Sequence, residues 1–224
     1  YVYQHTDLYM VLSSSFVKKF KEFTGITHPS HLQVLTNPVT IDSSSYDYSL
    51  SKKQKEIIYM GRIDYNQKRV YRVVDTWAKL ESVFPDWKLT IVGDGTARKD
   101  IEKQVKEYGL QRVSFEGFQQ PKPYYERASI LMLTSEYEGF PLVLLEAMAY
   151  GLPLAVSDIP ATHLVQLPAE AYFQKANADA LAKCVAREWN KKHDTTTYDL
   201  SEFDWNAITR KTQSVILPVA KKSD

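Results

Sequence analysis

Cysteine is almost absent from this chain: only Cys184 occurs among 224 residues. One thiol makes neither an internal disulfide nor a cysteine-based zinc site, so a reducing, cytoplasmic compartment is the expectation. Cys184 lies in an Ala/Leu-rich stretch of helical character, where it reads as core packing rather than as a reactive group. No apolar run approaches the roughly 20 residues that a membrane-spanning helix needs, and no charged-then-apolar leader opens the sequence. Tyr1 rather than Met stands first, which reads as a piece cut from a longer polypeptide. An excess of one charge is also missing, since 28 Lys and Arg face 27 Asp and Glu. Without a bulk positive field, nucleic acid is not expected as a partner, and any anion has to be gripped locally.

Several catalytic signatures are lacking too. There is no GxxxxGK[ST] loop for P-loop nucleotide hydrolysis and no GxSxG nucleophile elbow. His5, His28, His31, His163 and His193 show no HExxH or other tight ligand spacing, so no metal site is expected. Gly93-Asp94-Gly95 starts like a dinucleotide fingerprint, but Arg98 occupies the place of the third glycine, which disfavours a hydride-transfer cofactor. No repeat of 20 to 50 residues is visible.

The chain has the composition of a folded globular protein, with 44% hydrophobic and 25% charged residues, and enough length for one sizeable core with appendages. From Glu56 onward short apolar runs alternate with longer amphipathic ones, the pattern of a parallel sheet with crossover helices. Strands are predicted at residues 57–60, 88–92, 113–115, 130–133, 154–156 and 171–173, separated by helices of about 10 to 16 residues. After the first strand, Val70, Val73, Val74, Trp77 and Leu80 recur at spacings of three and four and form a buried stripe, with Lys79 and Glu81 outside it. Pro85-Asp86 is expected to end that helix. Ahead of this block, a strand at 8–12, a helix at 14–23 and a strand at 32–35 are predicted. Phe16, Phe20 and Phe23 fall on one side of that helix and need a partner surface. A hinge or linker is placed near Asn37-Pro38, and residues 43–55, rich in Ser, Tyr and Lys, read as an exposed loop. Residues 191–197 are polar, and Phe203, Trp205, Ile208 and Val215 mark a last helix before a basic tail.

The most informative stretch is residues 135–153, which follows an apolar strand and opens a helix. In an α/β sheet, ligands bind at the carboxyl ends of strands, which is where the loop 135–140 sits. Pro141 fits the first helical position, and the amides of Leu142 and Val143 are expected to be unpaired beside the positive end of the helix dipole, a setting that suits phosphate. Glu138 and Glu146 are eight positions apart, and both can face one cleft. A carboxylate there can accept hydrogen bonds from sugar hydroxyls or from a vicinal diol. Spacing alone equally allows two solvated carboxylates. Gly139 removes a side chain where a ligand would press on the backbone. Gly61-Arg62 follows the first strand and Lys68 opens the next helix, so two cations can reach the cleft mouth and neutralise a diphosphate. Taken singly, each is also an ordinary surface cation.

In order along the chain, Met60-Gly61-Arg62 with Lys68, Val92-Gly93-Asp94-Gly95, Phe115-Glu116-Gly117-Phe118 and residues 135–153 resemble the donor-binding, C-terminal domain of retaining GT-B glycosyltransferases of the group 1 type, with their paired-glutamate E-x7-E signature. The likeness is strong from Glu56 to about Asp158 and weak on the flanks. It implies an α/β fold with a Rossmann-like parallel sheet flanked by helices, the C-terminal half of a GT-B fold. By that resemblance residues 1–36 are a remnant of the acceptor domain, residues 37–200 bind the nucleotide-sugar donor, and residues 201–224 pack back on the missing domain, where Phe203 to Val215 would lack a partner. Arg62 and Lys68 bind the diphosphate. Glu146 holds the ribose. Glu138, with the Gly139 and Phe140 backbone, contacts the transferred sugar, and the loop at Phe118 and Gln119 contacts the base. Gly61, Gly93, Leu142 and Val143 complete the donor site. Neither cofactor nor metal is implied, since the nucleotide-sugar, by family frequency a UDP-sugar, is itself a substrate. The implied whole enzyme is a hexosyltransferase of polysaccharide or lipid-linked glycan synthesis, touching a membrane only peripherally through its other domain; the piece alone would bind donor and transfer little. A sugar-nucleotide epimerase of the same fold and a noncatalytic nucleotide-sugar-binding module are the rival readings.

Overall fold

A computed structural model describes residues 2–44, 46–47, 53–174, 177–190 and 198–220. The chain opens with β1 (Tyr9–Val11), α1 (Ser14–Thr24) and β2 (Leu32–Val34). The two strands pair parallel, Tyr9 opposite Leu32, apart from the main sheet. Gly25 stops α1 in the left-handed region at φ 73°. Phe20 packs edge-on against Tyr3 at 4.8 Å, whereas Phe23 is 93% exposed, so the three phenylalanines of α1 do not share one partner.

The main sheet comprises β3 (Glu56–Met60), β4 (Lys88–Val92), β5 (Val113–Gly117), β6 (Ile130–Leu133), β7 (Leu154–Ser157) and β8 (Tyr172–Phe173). Their order is β5-β4-β3-β6-β7-β8, with every neighbouring pair parallel. Strands of this kind read as continuous apolar runs because both faces are covered. Their parity shows it: Ile57, Tyr59, Ile130, Met132 and Ala155 enter one core, while Ile58, Leu131, Leu133, Leu154 and Val156 enter the other. The chain winds outward from β3 to β5, returns beside β3 as β6, and winds outward again, so the crevice between β3 and β6 is the switch point where such sheets bind ligands.

The crossovers are α2 (Tyr71–Leu80), α3 (Arg98–Glu107), α4 (Lys122–Arg127), α5 (Leu142–Ala149) and α6 (Ala178–Asn190). All five expected stripe residues of α2 are buried, and so are Arg72 and Thr76, which the stripe did not include. The helix ends at Leu80, ahead of Pro85, and the Glu81 carboxylate beyond it accepts from the Trp77 indole and the amides of Gln111 and Arg112. α4, with 6 residues, and α5, with 8, fall short of the expected 10 to 16. Gly151, at φ 63°, closes α5 by letting the Leu152 amide reach back to the Ala147 carbonyl at 3.1 Å. Cys184 is buried in α6, as expected.

Two stretches differ from their sequence readings. Within the stretch 43–55, of which residues 45 and 48–52 lie outside the described residues, Tyr46 packs on Tyr150 at 4.8 Å and Lys53 reaches the Tyr125 carbonyl at 2.9 Å, so those two are not simply exposed. Phe203 and Ile208 are buried, with Phe203 5.9 Å from Phe140, so this end of the chain has a partner; Trp205, at the start of α7 (Trp205–Ala220), is exposed. The polar run 191–197 and the basic tail after Ala220 lie outside the described residues.

Candidate functional site

Two glycines let the loops at the carboxyl edge approach. Gly61 and Gly93 have φ of 145° and 134°, and a Cβ on Gly93 would lie 1.9 Å from the Gly61 carbonyl oxygen. The Gly61 amide donates to the Val92 carbonyl at 2.9 Å, and the Gly93 amide to the Gly117 carbonyl at 2.7 Å. The ends of β3, β4 and β5 are thereby laced together. Above them lies a cleft of about 340 Å³, whose lining includes Gly61, Arg62, Gly93, Phe118, Gln119 and Glu146. Six residues expected at the site from sequence thus meet in one cavity, although Phe118 comes from β5's exit loop and Glu146 from α5. The Phe118 ring is 89% exposed.

Arg62 stands at the cleft wall with its Nε on Asp64 Oδ2 at 3.0 Å and its Nη2 on Gln67 Oε1 at 2.8 Å. Asp64 also accepts the amides of Gln67 and Lys68, at 2.7 and 3.0 Å. Burial alone would raise the Asp64 carboxyl, but those two amides and the Arg62 guanidinium outweigh it and hold it below its usual value. Lys68 is not at the cleft wall. Its Nζ lies 2.5 Å from Glu138 Oε1, and Glu138 is further held by the Ser135 hydroxyl at 2.6 Å and by Gln67 Nε2 at 3.3 Å. Of the two glutamates expected at the site, Glu146 lines this cleft and Glu138 is held beside it by these contacts.

Glu146 projects from α5 between two hydroxyls: Tyr125 donates to Oε2 at 2.9 Å and Thr40 to Oε1 at 2.7 Å. Tyr125 is fully buried, and burial first, then the Glu146 charge, raises its phenol far above the ordinary value. Beneath it, Lys53 donates to the carbonyls of Tyr125 and Tyr150, and its burial lowers the ammonium to about 8.

The start of α5 departs from expectation. Pro141 caps the helix rather than opening it, and the Leu142 amide donates to the Phe140 carbonyl at 3.0 Å, so it is not free for an anion. Among the described residues no such partner is found for the Val143 amide. Gly139 has ordinary packing around it, with the Phe16 ring 3.7 Å from where a Cβ would stand; this is the surface that occupies Phe16 of α1. Phe140 is buried in the core. Gln67, Tyr125 and Thr40 also contact the expected site residues and were missed from sequence, whereas Ser135 opens the loop 135–140 singled out there. Tyr125 and Thr40 each act through one hydroxyl and Gln67 through its side-chain amide, and none leaves a periodic signal.

Residues 40–194 match the family described as Glycosyl transferases group 1. The chain belongs to that family. It is 31% identical over 157 residues to the amylovoran biosynthesis glycosyltransferase of Erwinia amylovora, covering 69% of this chain and 41% of the relative. It is 32% identical over 161 residues to the lipopolysaccharide 1,6-galactosyltransferase of Salmonella typhimurium, covering 69% of this chain and 44% of that protein. The chain thus spans less than half the length of these two curated relatives. Among solved structures, Anabaena HepE in complex with UDP and glucose superposes with a TM-score of 0.81 at 19% identity, covering 97% of this chain and 65% of that one. That likeness shows the fold: a Rossmann-like parallel sheet flanked by helices, the C-terminal half of a GT-B glycosyltransferase. No helix among the described residues is long and apolar enough to cross a membrane.

Proposed function

We propose that the chain is the nucleotide-sugar-binding half of a cytoplasmic, retaining, metal-independent hexosyltransferase, with a UDP-sugar as donor. The observation that carries the reading is the cleft above the carboxyl ends of β3, β4 and β5, which Arg62 and Glu146 both line. A guanidinium suits a diphosphate and a carboxylate suits a ribose diol. The likeness to Anabaena HepE supports it, since the crystal structure of that protein is a complex with UDP and glucose. In this reading residues 1–36 belong to the acceptor domain, residues 37–200 hold the donor, and residues 201–224 return toward the acceptor domain, the partner that completes the enzyme.

Within the site, Glu146 takes the ribose hydroxyls, the Phe118 and Gln119 loop takes the base, and Arg62 and Lys68 take the diphosphate, with the Val143 amide adding a donor. Glu138 and the backbone at Gly139 take the sugar. Transfer then breaks the bond between the anomeric carbon and the phosphate oxygen and forms the acceptor bond on the same face. The departing phosphate oxygen receives the acceptor's proton. The chain's contribution is electrostatic, and one preorganised cation is worth on the order of 3 kcal/mol in such a step.

The test is calorimetric titration of the chain with UDP, GDP and UDP-glucose in the presence of a chelator. Binding of one nucleotide without metal is expected. Binding that appears only after a divalent cation is added contradicts metal independence, and a folded chain that binds none of the three contradicts the donor reading.

A further inference from the structure

A second charged cluster joins α2 to the loop that follows β6. Arg72 is on the inward side of α2 and only 8% exposed. Its Nη2 donates to Glu136 Oε2 at 2.8 Å and its Nη1 to the Thr134 carbonyl at 3.4 Å. Glu136 in turn donates its amide to the Gln67 carbonyl at 2.7 Å, and the Thr134 hydroxyl donates to the Lys68 carbonyl at 2.9 Å. The backbone of the loop after β3 is thus tied to the loop after β6, at residue 67 by the Glu136 amide and at residue 68 by the Thr134 hydroxyl. Arg69, between them, sits at φ 51°, the one non-glycine residue in the left-handed region among those described. Its Nε is 3.7 Å from Glu136 Oε2, and its carbonyl accepts from Thr134 at 3.3 Å.

A left-handed arginine costs on the order of 1 kcal/mol and persists only where its surroundings overdetermine it. An ion pair taken largely out of water, as Arg72 is here, is moreover a poor source of stability compared with apolar residues of similar volume, and what it supplies is a fixed geometry. The geometry fixed here is that of Lys68 and Glu138, which the two tied loops carry to a separation of 2.5 Å.

We propose that Arg72 and Glu136 are positioning residues that set Lys68 and Glu138 for the diphosphate and sugar of the donor. The proposal rests on the donor-site reading above. Glu136→Gln removes the charge while keeping the shape, and two readouts follow it. The first is acetylation of Lys68 by N-hydroxysuccinimidyl acetate, measured by mass spectrometry relative to Lys99 in the same molecule, and it requires no nucleotide. The second is UDP affinity by calorimetry. Glu136→Gln is expected to raise Lys68 labelling and to weaken UDP binding by about fivefold or more, a coupling typical of residues sharing a network. Arg72→Lys, which keeps a cation at that depth, is expected to give smaller changes in the same directions, and it serves alone if Glu136→Gln does not fold. Unchanged Lys68 labelling overturns the inference. Raised labelling with unchanged UDP affinity overturns it too, because the loops would then be coupled without consequence for the donor. A wild-type chain that binds no UDP overturns the functional reading, and the positioning role falls with it.

Discussion

Lys68 Nζ and Glu138 Oε1 lie 2.5 Å apart, each carried by a loop at the carboxyl end of a different strand. A diphosphate and a sugar hydroxyl would compete for groups that already satisfy one another. Glu138→Gln is therefore expected to leave UDP binding intact or a few-fold tighter, because Lys68 is released, while removing any preference for UDP-glucose over UDP. A change of about 1 kcal/mol in that preference is the scale of one hydrogen bond. Competition calorimetry with the two ligands measures it, and a preference that survives the substitution rules out Glu138 as a sugar contact.

Thr40 and Tyr125 hold the two oxygens of Glu146 but predict opposite effects. Tyr125 orients the carboxylate from the core, so Tyr125→Phe should weaken UDP by about 1 kcal/mol. Thr40 occupies Oε1, the oxygen for which a ribose hydroxyl competes in the proposed donor reading. Thr40→Val should tighten UDP modestly. Equal effects of the same sign would mean that the two hydroxyls do not differ in role.

The glycines divide in the same testable way. A methyl at Gly93 would collide with the Gly61 carbonyl, whereas at Gly139 the nearest atom is 3.7 Å away. Gly93→Ala should cost on the order of 3 kcal/mol, with Gly139→Ala within about 0.5 kcal/mol of wild type. Urea denaturation compares the three proteins. If Gly139→Ala is stable yet weakens UDP-glucose relative to UDP, the sugar does lie against that backbone.

Glu56 is wholly buried, with Arg127 Nε 2.8 Å from Oε2 and the Thr90 hydroxyl 2.5 Å from Oε1. Burial would raise this carboxyl, but the Arg127 and Thr90 hydrogen bonds prevail and lower it. Its stabilisation is therefore complete above the ordinary carboxylate pKa of about 4.3 and is lost as pH falls through the lower folded value. Arg127→Met leaves a buried charge poorly compensated and should cost about 3–5 kcal/mol near neutral pH. The gap between variant and wild type should narrow on acidification to pH 3. Urea midpoints at pH 7 and pH 3 decide it, and a constant gap would mean that Arg127 acts through packing alone.

Strands were the legible part of this sequence, and β4 and β6 match their predicted bounds, 88–92 and 130–133. Burial on both faces makes each strand an unbroken apolar run that local composition reveals. Gly61, Arg62 and Gly93 at the cleft were legible for a related reason, since each directly follows a strand. What the sequence concealed depends on distant partners. Glu56 is neutralised by Arg127, 71 positions away, and Glu146 is oriented by Thr40, 106 positions away. The pairing of Lys68 with Glu138 was hidden similarly, so both were assigned to ligand without regard to each other. Pro141 misled at α5 because a proline suits a helix cap as well as a first turn.

The most direct measurement is the dissociation constant of UDP for Glu146→Ala against wild type, by calorimetry in chelator, with thermal denaturation to confirm that both are folded. Loss of charge-assisted bonds to a diol is expected to raise the constant at least about tenfold, equivalent to roughly 1.4 kcal/mol. An unchanged constant in a folded variant would contradict the placement of the nucleotide in the cleft beside Arg62 and Glu146.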